Sequence, residues 1–283
     1  LIMHHTNYPL HIIDNYTLER PDAAEILDQL AKYETEQFLQ APDFSKKRLE
    51  TIPAAIALLQ EILEHIQPDQ LIFSGYSMRE GQFYLNLDDD LKTQDPLISS
   101  CHDLIKREGR SNQQGEEVFE WMSSLFIDEN SQQLKLRHAA CLLNDIAWAE
   151  HPDYRADHGL LRVLRLPVAG LIHHDRALLA ACIFSRYKGD FNADIAEPLR
   201  RFLSDEDTKW TKTVGSALRL AHTLASGAPH LLEETKLNRT DDVLYLHLPK
   251  DEDIFESEVV IKRMQNLAKH TGCSFEIVYD LTW

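Results

Sequence analysis

A chain of 283 residues with 43% hydrophobic content can bury more than one core, and its length admits two or three domains. Its formal charge of −17 argues against nucleic acid as a ligand, because phosphate contacts come from Lys and Arg. Four cysteines without CxxC spacing, no apolar run near the ~20 residues of a membrane span, and no leader-like start lead us to expect a reduced, cytoplasmic protein free of membrane.

In chain order, "YPLHII" reads as a buried strand, and a chain opening inside such an element is expected to be a fragment or trimmed piece. Residues 21–39 read as an amphipathic helix, with Pro21 at its first position and Ile26, Leu27, Leu30 and Tyr33 at helical spacing. A second helix begins at Thr51 and Pro53 and carries Ile52, Ile56, Leu59, Leu63 and Ile66 on one face. A short strand, Leu71 to Phe73, a Ser-Gly turn and a helix from Met78 follow. The acidic run Asp88 to Asp95 reads as a linker.

The spacing then predicts helices over 97–109, 113–127, 132–149, 156–165, 173–187, 194–203 and 207–226, with Pro152, Pro167 and Gly189 between elements. The end changes character. "DDVLYLHL" is a strand, "FESEVVIKRMQNLAKHTG" a helix closed by Gly272, and "CSFEIVYDL" a strand.

Several constellations bear on chemistry. Ser74, Gly75, Arg79, Glu80 and Gly81 surround a helix start, where free N–H groups favour anions; the same residues also make an ordinary solvated turn. Arg48 has the fork that grips phosphate, or is a surface arginine of "SKKRLE". Arg162, Arg165, Arg176, Arg186 and Lys188 form either a local basic wall or solvated helix faces.

His138, His151, His158, His173 and His174 lie near Asp145, Asp153, Asp157 and Asp175, a mixture that suits a divalent ion activating water. The pattern breaks where it matters. HD-type phosphohydrolases pair His with Asp, and the expected paired position reads Asn144-Asp145. The adjacent pair in His173-His174-Asp175 opens a helix too late in the order and has no downstream Asp at a fitting distance, and the helix "NQQGEEVFEWMSSLF" supplies no histidine. No metal ligand is therefore assigned. No GxSxG, P-loop or GxGxxG is present, and ten glycines leave no phosphate-cradling loop.

"YPLHIIDNYTL", "RLETIPAAIALLQEILEHI", "LIFSGYSMREGQFY" and "LRHAACLLNDIAWAEHPDYR" together resemble the Ppx/GppA exopolyphosphatase and guanosine-pentaphosphatase family, in its alphaproteobacterial type. The resemblance continues through "GSALRLAHTLASGAPHLL" and "KRMQNLAKHTG". It implies a mainly α fold with α+β ends. Residues 1–88 would be the later part of a second actin-like (ASKHA) domain, residues 89–203 an HD-like helical domain, and residues 204–283 a small α+β domain.

The activity implied is release of orthophosphate from the end of inorganic polyphosphate, with magnesium as cofactor. The family's glycine loops and catalytic glutamate have no match here, so no catalytic residue transfers, and magnesium is expected to bind mainly through a region before this one. This chain alone would then be inactive. What transfers is Arg48 at the cleft and Ser74, Gly75, Arg79, Glu80 and Gly81 as the adenosine-side loop. The helical domain would serve polyphosphate binding and homodimer contacts. Three rivals stand beside this reading: guanosine pentaphosphate (pppGpp) as the substrate, an autonomous HD metallo-phosphohydrolase acting on nucleotides, and a non-catalytic polyphosphate-binding module.

Overall fold

The computed structural model describes residues 1–38, 49–108, 112–225, 230–250 and 257–281. The chain divides into two compact units, Leu1–Leu87 and Asp88–Trp283.

In the first unit the opening residues form a short helix, α1 (Ile2–His5), and residues 8–13 are not the expected strand. Pro9 lacks the N–H that a ladder needs. Asn15, at a φ of 60°, then turns the chain, and strand β1 (Tyr16–Glu19) starts only beyond it. Helix α2 (Arg20–Leu30) carries Pro21 in its first turn, stops earlier than the spacing suggests, and is followed by a single turn, α3 (Thr35–Phe38).

Helix α4 (Ile52–Ile66) ends on Gln67 in the left-handed region and leads into β2 (Gln70–Phe73), which pairs antiparallel with β1. Ala23, Leu27 and Leu30 of α2 meet Ile56 and Leu63 of α4 in a small core with Phe38 and Leu49. Helix α5 (Met78–Leu85) buries no residue: Met78, Phe83 and Leu85 are 91%, 73% and 68% exposed.

The second unit opens with a single turn, α6 (Asp89–Lys92), in the acidic run expected to be a linker. Helices α7 (Pro96–Arg107), α8 (Asn112–Trp121), α9 (Ser131–Leu142), α10 (Arg155–Leu164), α11 (His173–Arg186), α12 (Glu197–Phe202) and α13 (Asp205–Ala225) follow. Their starts are written locally. Asp95 accepts from Leu97 N and Ile98 N, and Asn130 with Gln133 forms a capping box.

Helix α11 is buried along most of its length and packs on α10, α9 and α13. The predicted helix 132–149 is shorter than expected: after Leu142 the chain tightens into a 3₁₀ turn, Leu143–Asp145.

Strand β3 (Lys236–Thr240), not expected from the sequence pattern, pairs antiparallel with β4 (Val243–Pro249). Asp241, at a φ of 50°, makes the tight connection. Helix α14 (Glu258–Thr271), closed by Gly272 at a φ of 78°, crosses back to β5 (Ser274–Leu281), which lies parallel to β4. Sheet and helices share the second compact unit, with α14 packed on α13. The architecture is the expected one, mainly helical with a small sheet near the C-terminal end.

Candidate functional site

Of the sequence-selected residues of the first unit, Ser74, Gly75, Arg79, Glu80 and Gly81 follow the end of β2. Ser74 Oγ accepts from Tyr76 N at 3.0 Å, and Gly75 N donates to Asp14 Oδ1 at 2.9 Å. A Cβ on Gly75 would stand 3.1 Å from the Asp14 Cβ, so the close approach favours glycine.

Ser77 caps α5 by accepting from Arg79 N at 3.2 Å, and Glu80 Oε2 accepts from Ser77 N at 2.7 Å. The Ser77 hydroxyl also donates to Glu80, and these bonds hold the Glu80 carboxyl below its usual value. Glu80 is thus spent on the helix start, while Arg79 and Gly81 face solvent. Arg48 lies outside the described residues.

The histidines of the second unit are dispersed. His138 Nε2 lies 2.8 Å from Glu116, His158 Nδ1 3.0 Å from Glu150, and His174 Nε2 3.2 Å from Asp207. His151 sits beside Asp153, and His173 is buried with its ring edge-on to Phe202. Among the described residues, the grouping with metal-ligand spacing is Glu61, Glu64 and His65, exposed on α4 of the first unit.

At Asn144 and Asp145 a cation is already seated, and it is a guanidinium. Arg186 Nε donates to Asn144 Oδ1 at 2.9 Å and Nη2 to Asp145 Oδ1 at 3.3 Å. Arg186 is 6% exposed, and its guanidinium carbon lies 4.8 Å from the Tyr187 ring centroid. The Tyr187 hydroxyl in turn donates to Asn144 O at 3.1 Å. The Asn144 carbonyl oxygen serves here as a neutral acceptor aimed at the arginine.

The packing of α11 and α13 builds on this pair. A Cβ on Gly215 would lie 2.5 Å from the Ser185 Cβ and 2.8 Å from Arg186 N, so the helices approach closely there. One turn further along α13 that approach places Arg219 beside Arg186, and two turns along it places His222 Nδ1 3.6 Å from Asp145 Oδ1. Arg263 arrives on α14 and Arg155 on α10.

The result is a cleft of about 410 Å³, within the second unit, that includes these four arginines, Asp145 and Trp148 in its lining. Arg155 is held by the carbonyls of Glu150 and Trp148, each at 2.9 Å. Burial, reinforced by Arg263 and Arg186, pushes the Arg219 guanidinium down to about 10. Arg219, more than any other cause, also depresses the nearby Lys188 ammonium.

Of the five bases read as a wall, Arg186 lines this cleft and Lys188 feels its charge. The Arg162 guanidinium is engaged by Ile146 O and Glu108, Arg176 is buried on Leu164 O and Leu166 O, and Arg165 is exposed. Arg155, Arg219 and Arg263 were missed, because they come from three helices far apart in sequence. The legible trace was Gly215, a glycine inside a helical pattern, which marks a close approach.

A family model described as "Exopolyphosphatase, C-terminal" matches residues 97–278, and one described as "Ppx/GppA phosphatase family" matches residues 1–90. The first covers more than half of the chain, and the family of the second implies an actin-like fold for the part that precedes the helical region. The chain belongs to the Ppx/GppA phosphatase family. No curated protein matches it.

Proposed function

We propose that the chain is the C-terminal part of an exopolyphosphatase, and that its helical region binds polyphosphate and joins a second copy. In the reaction, water attacks the terminal phosphorus, the bridging P–O bond breaks, and orthophosphate leaves from a chain shortened by one unit. Catalysis of this kind is positioning and charge neutralisation. The match to the exopolyphosphatase C-terminal model supports the substrate class.

The observation that carries the reading is the seating of Arg186 on Asn144 and Asp145. A fixed positive charge stands where an HD metallo-phosphohydrolase would bring its ion, so the helical unit is suited to holding anions rather than activating water. Ser74, Gly75, Arg79, Glu80 and Gly81 remain the proposed adenosine-side loop, and Arg48 the proposed anion contact at the cleft.

Magnesium is part of the proposal for the whole enzyme, but the described residues do not fit it. Glu61, Glu64 and His65 are exposed along one flank of α4. Such spacing is common on solvated helices, so no step is derived through the ion.

Residues 1–283 with magnesium and long-chain polyphosphate should release no orthophosphate above blank, while a polypeptide that includes the preceding region should release it. Turnover by residues 1–283, with a stoichiometric transition metal lost in Asp145→Ala, would overturn the reading in favour of the metallo-phosphohydrolase. Faster hydrolysis of pppGpp than of polyphosphate by the longer polypeptide would reassign the substrate.

A further inference from the structure

The arginine cleft holds more positive charge than its own structure uses. Four guanidiniums line it against the single carboxylate of Asp145, in a chain whose acids outnumber its bases by 46 to 29. Two nitrogens of Arg219, Nε and Nη1, and Nε of Arg263 are shielded from solvent and have no hydrogen-bond partner among the described residues. Buried donors are ordinarily satisfied, and an unsatisfied one points to a group that completes it.

Two of the arginines are also held in place beforehand: Arg186 is fixed by Asn144 and Asp145, and Arg155 by two backbone carbonyls. Orientation fixed before binding lowers the entropy cost of gripping a ligand.

This charge excludes a metal ion. It also exceeds what one carboxylate would neutralise. A condensed phosphate carries several charges and presents many acceptor oxygens, which suits planar forks converging from four helices. We propose that the cleft binds a short condensed-phosphate anion, free or carried on a nucleoside, gripped by Arg186, Arg219 and Arg263 with Arg155 beside them. Trp148, 43% exposed in the lining, offers a flat ring on which a base would stack. The inference rests on the phosphoanhydride reading for the class of its ligand, but the site itself stands on the cleft.

Isothermal titration of residues 1–283 tests it, with tripolyphosphate, GTP and orthophosphate as probes. Tripolyphosphate should bind saturably at one site per chain. Arg263→Gln, partly exposed on α14, should weaken that binding by about tenfold, the loss expected for one charge-assisted contact. Arg219→Gln should do the same; if it also lowers the melting temperature, Arg263→Gln decides. Arg239→Gln, exposed on β3, should change nothing.

Equal losses in Arg239→Gln and Arg263→Gln, or no loss in either cleft variant, would overturn the site. Orthophosphate binding as tightly as tripolyphosphate would overturn the condensed class. GTP binding more tightly, with the surplus removed in Trp148→Ala, would place the phosphate on a nucleoside; equal binding would identify the free chain, and both support the cleft. Failure of the exopolyphosphatase reading would appear in phosphate release by the longer polypeptide, which these isotherms do not measure.

Discussion

Arg137 and Glu129 show how a single buried pair can tie elements together. Their side chains are 2% and 4% exposed, with Arg137 Nε 2.8 Å from Glu129 Oε2. Arg137 also donates to Phe119 O and lies over the Phe119 and Phe126 rings, while Trp210 Nε1 of α13 donates to Glu129 Oε1. Burial nonetheless pushes the Glu129 carboxyl above its usual value, against the pull of Arg137 and Trp210. Glu129 therefore holds its proton more tightly folded than unfolded, and its contribution to stability falls as pH rises through the folded pKa. Arg137→Met strands the carboxylate and should cost about 3–5 kcal/mol near neutrality. Urea titrations of variant and parent should show the deficit shrinking toward acid, as Glu129 protonates and needs no partner. A deficit independent of pH would mean that lost packing, not lost charge, is the cause. Asn144 belongs to the same scale. The sequence shows that an imidazole is missing there, but only the fold shows that the amide in its place accepts from an arginine 42 residues away.

Among the elements, those with strong local signals were legible. Helices α4, α7 and α10 lie within a residue or two of their predicted bounds, because Pro, Asp or polar starts and apolar periodicity coincide there. Strand β3 was not legible: "KLNRT" is nearly all polar, and its place comes from pairing with β4 rather than from its own propensity. The arginine cleft was illegible for the same reason, since helix contacts and not sequence neighbours assemble it. Two predictions test these elements. Gly215→Ala adds a Cβ 2.5 Å from the Ser185 Cβ in the α11–α13 contact, and should destabilise by about 1–3 kcal/mol through overpacking. Denaturant midpoints would measure this, and an unchanged midpoint would mean that the helices part without loss. Ser77→Ala removes the cap of α5, which buries no side chain and so has little packing to fall back on. A loss of about 1 kcal/mol should speed amide exchange at Glu80 and Gly81 by roughly fivefold, with protection of α4 unchanged.

Across the whole molecule the two compact units differ in what holds them. Among the described residues, the first packs α2, α4 and a two-stranded sheet around a cluster of seven buried apolar residues, and no residue of α5 is buried. The second is organised on α11, with α10 and α13 against it and the three-stranded sheet in the same compact unit. A small unit buries a smaller fraction of its surface than a large one and is correspondingly marginal. Unfolding should therefore occur in two steps: Leu1–Leu87 first, with the shallower denaturant dependence of less exposed surface, and Asp88–Trp283 second. Tripolyphosphate should raise the second transition and leave the first where it is, because its proposed site lies wholly in the second unit. Calorimetry with and without the ligand distinguishes the outcomes. A single transition whose calorimetric and van't Hoff enthalpies agree would show that the units unfold as one, and a shift of the first transition alone would move the phosphate site into Leu1–Leu87.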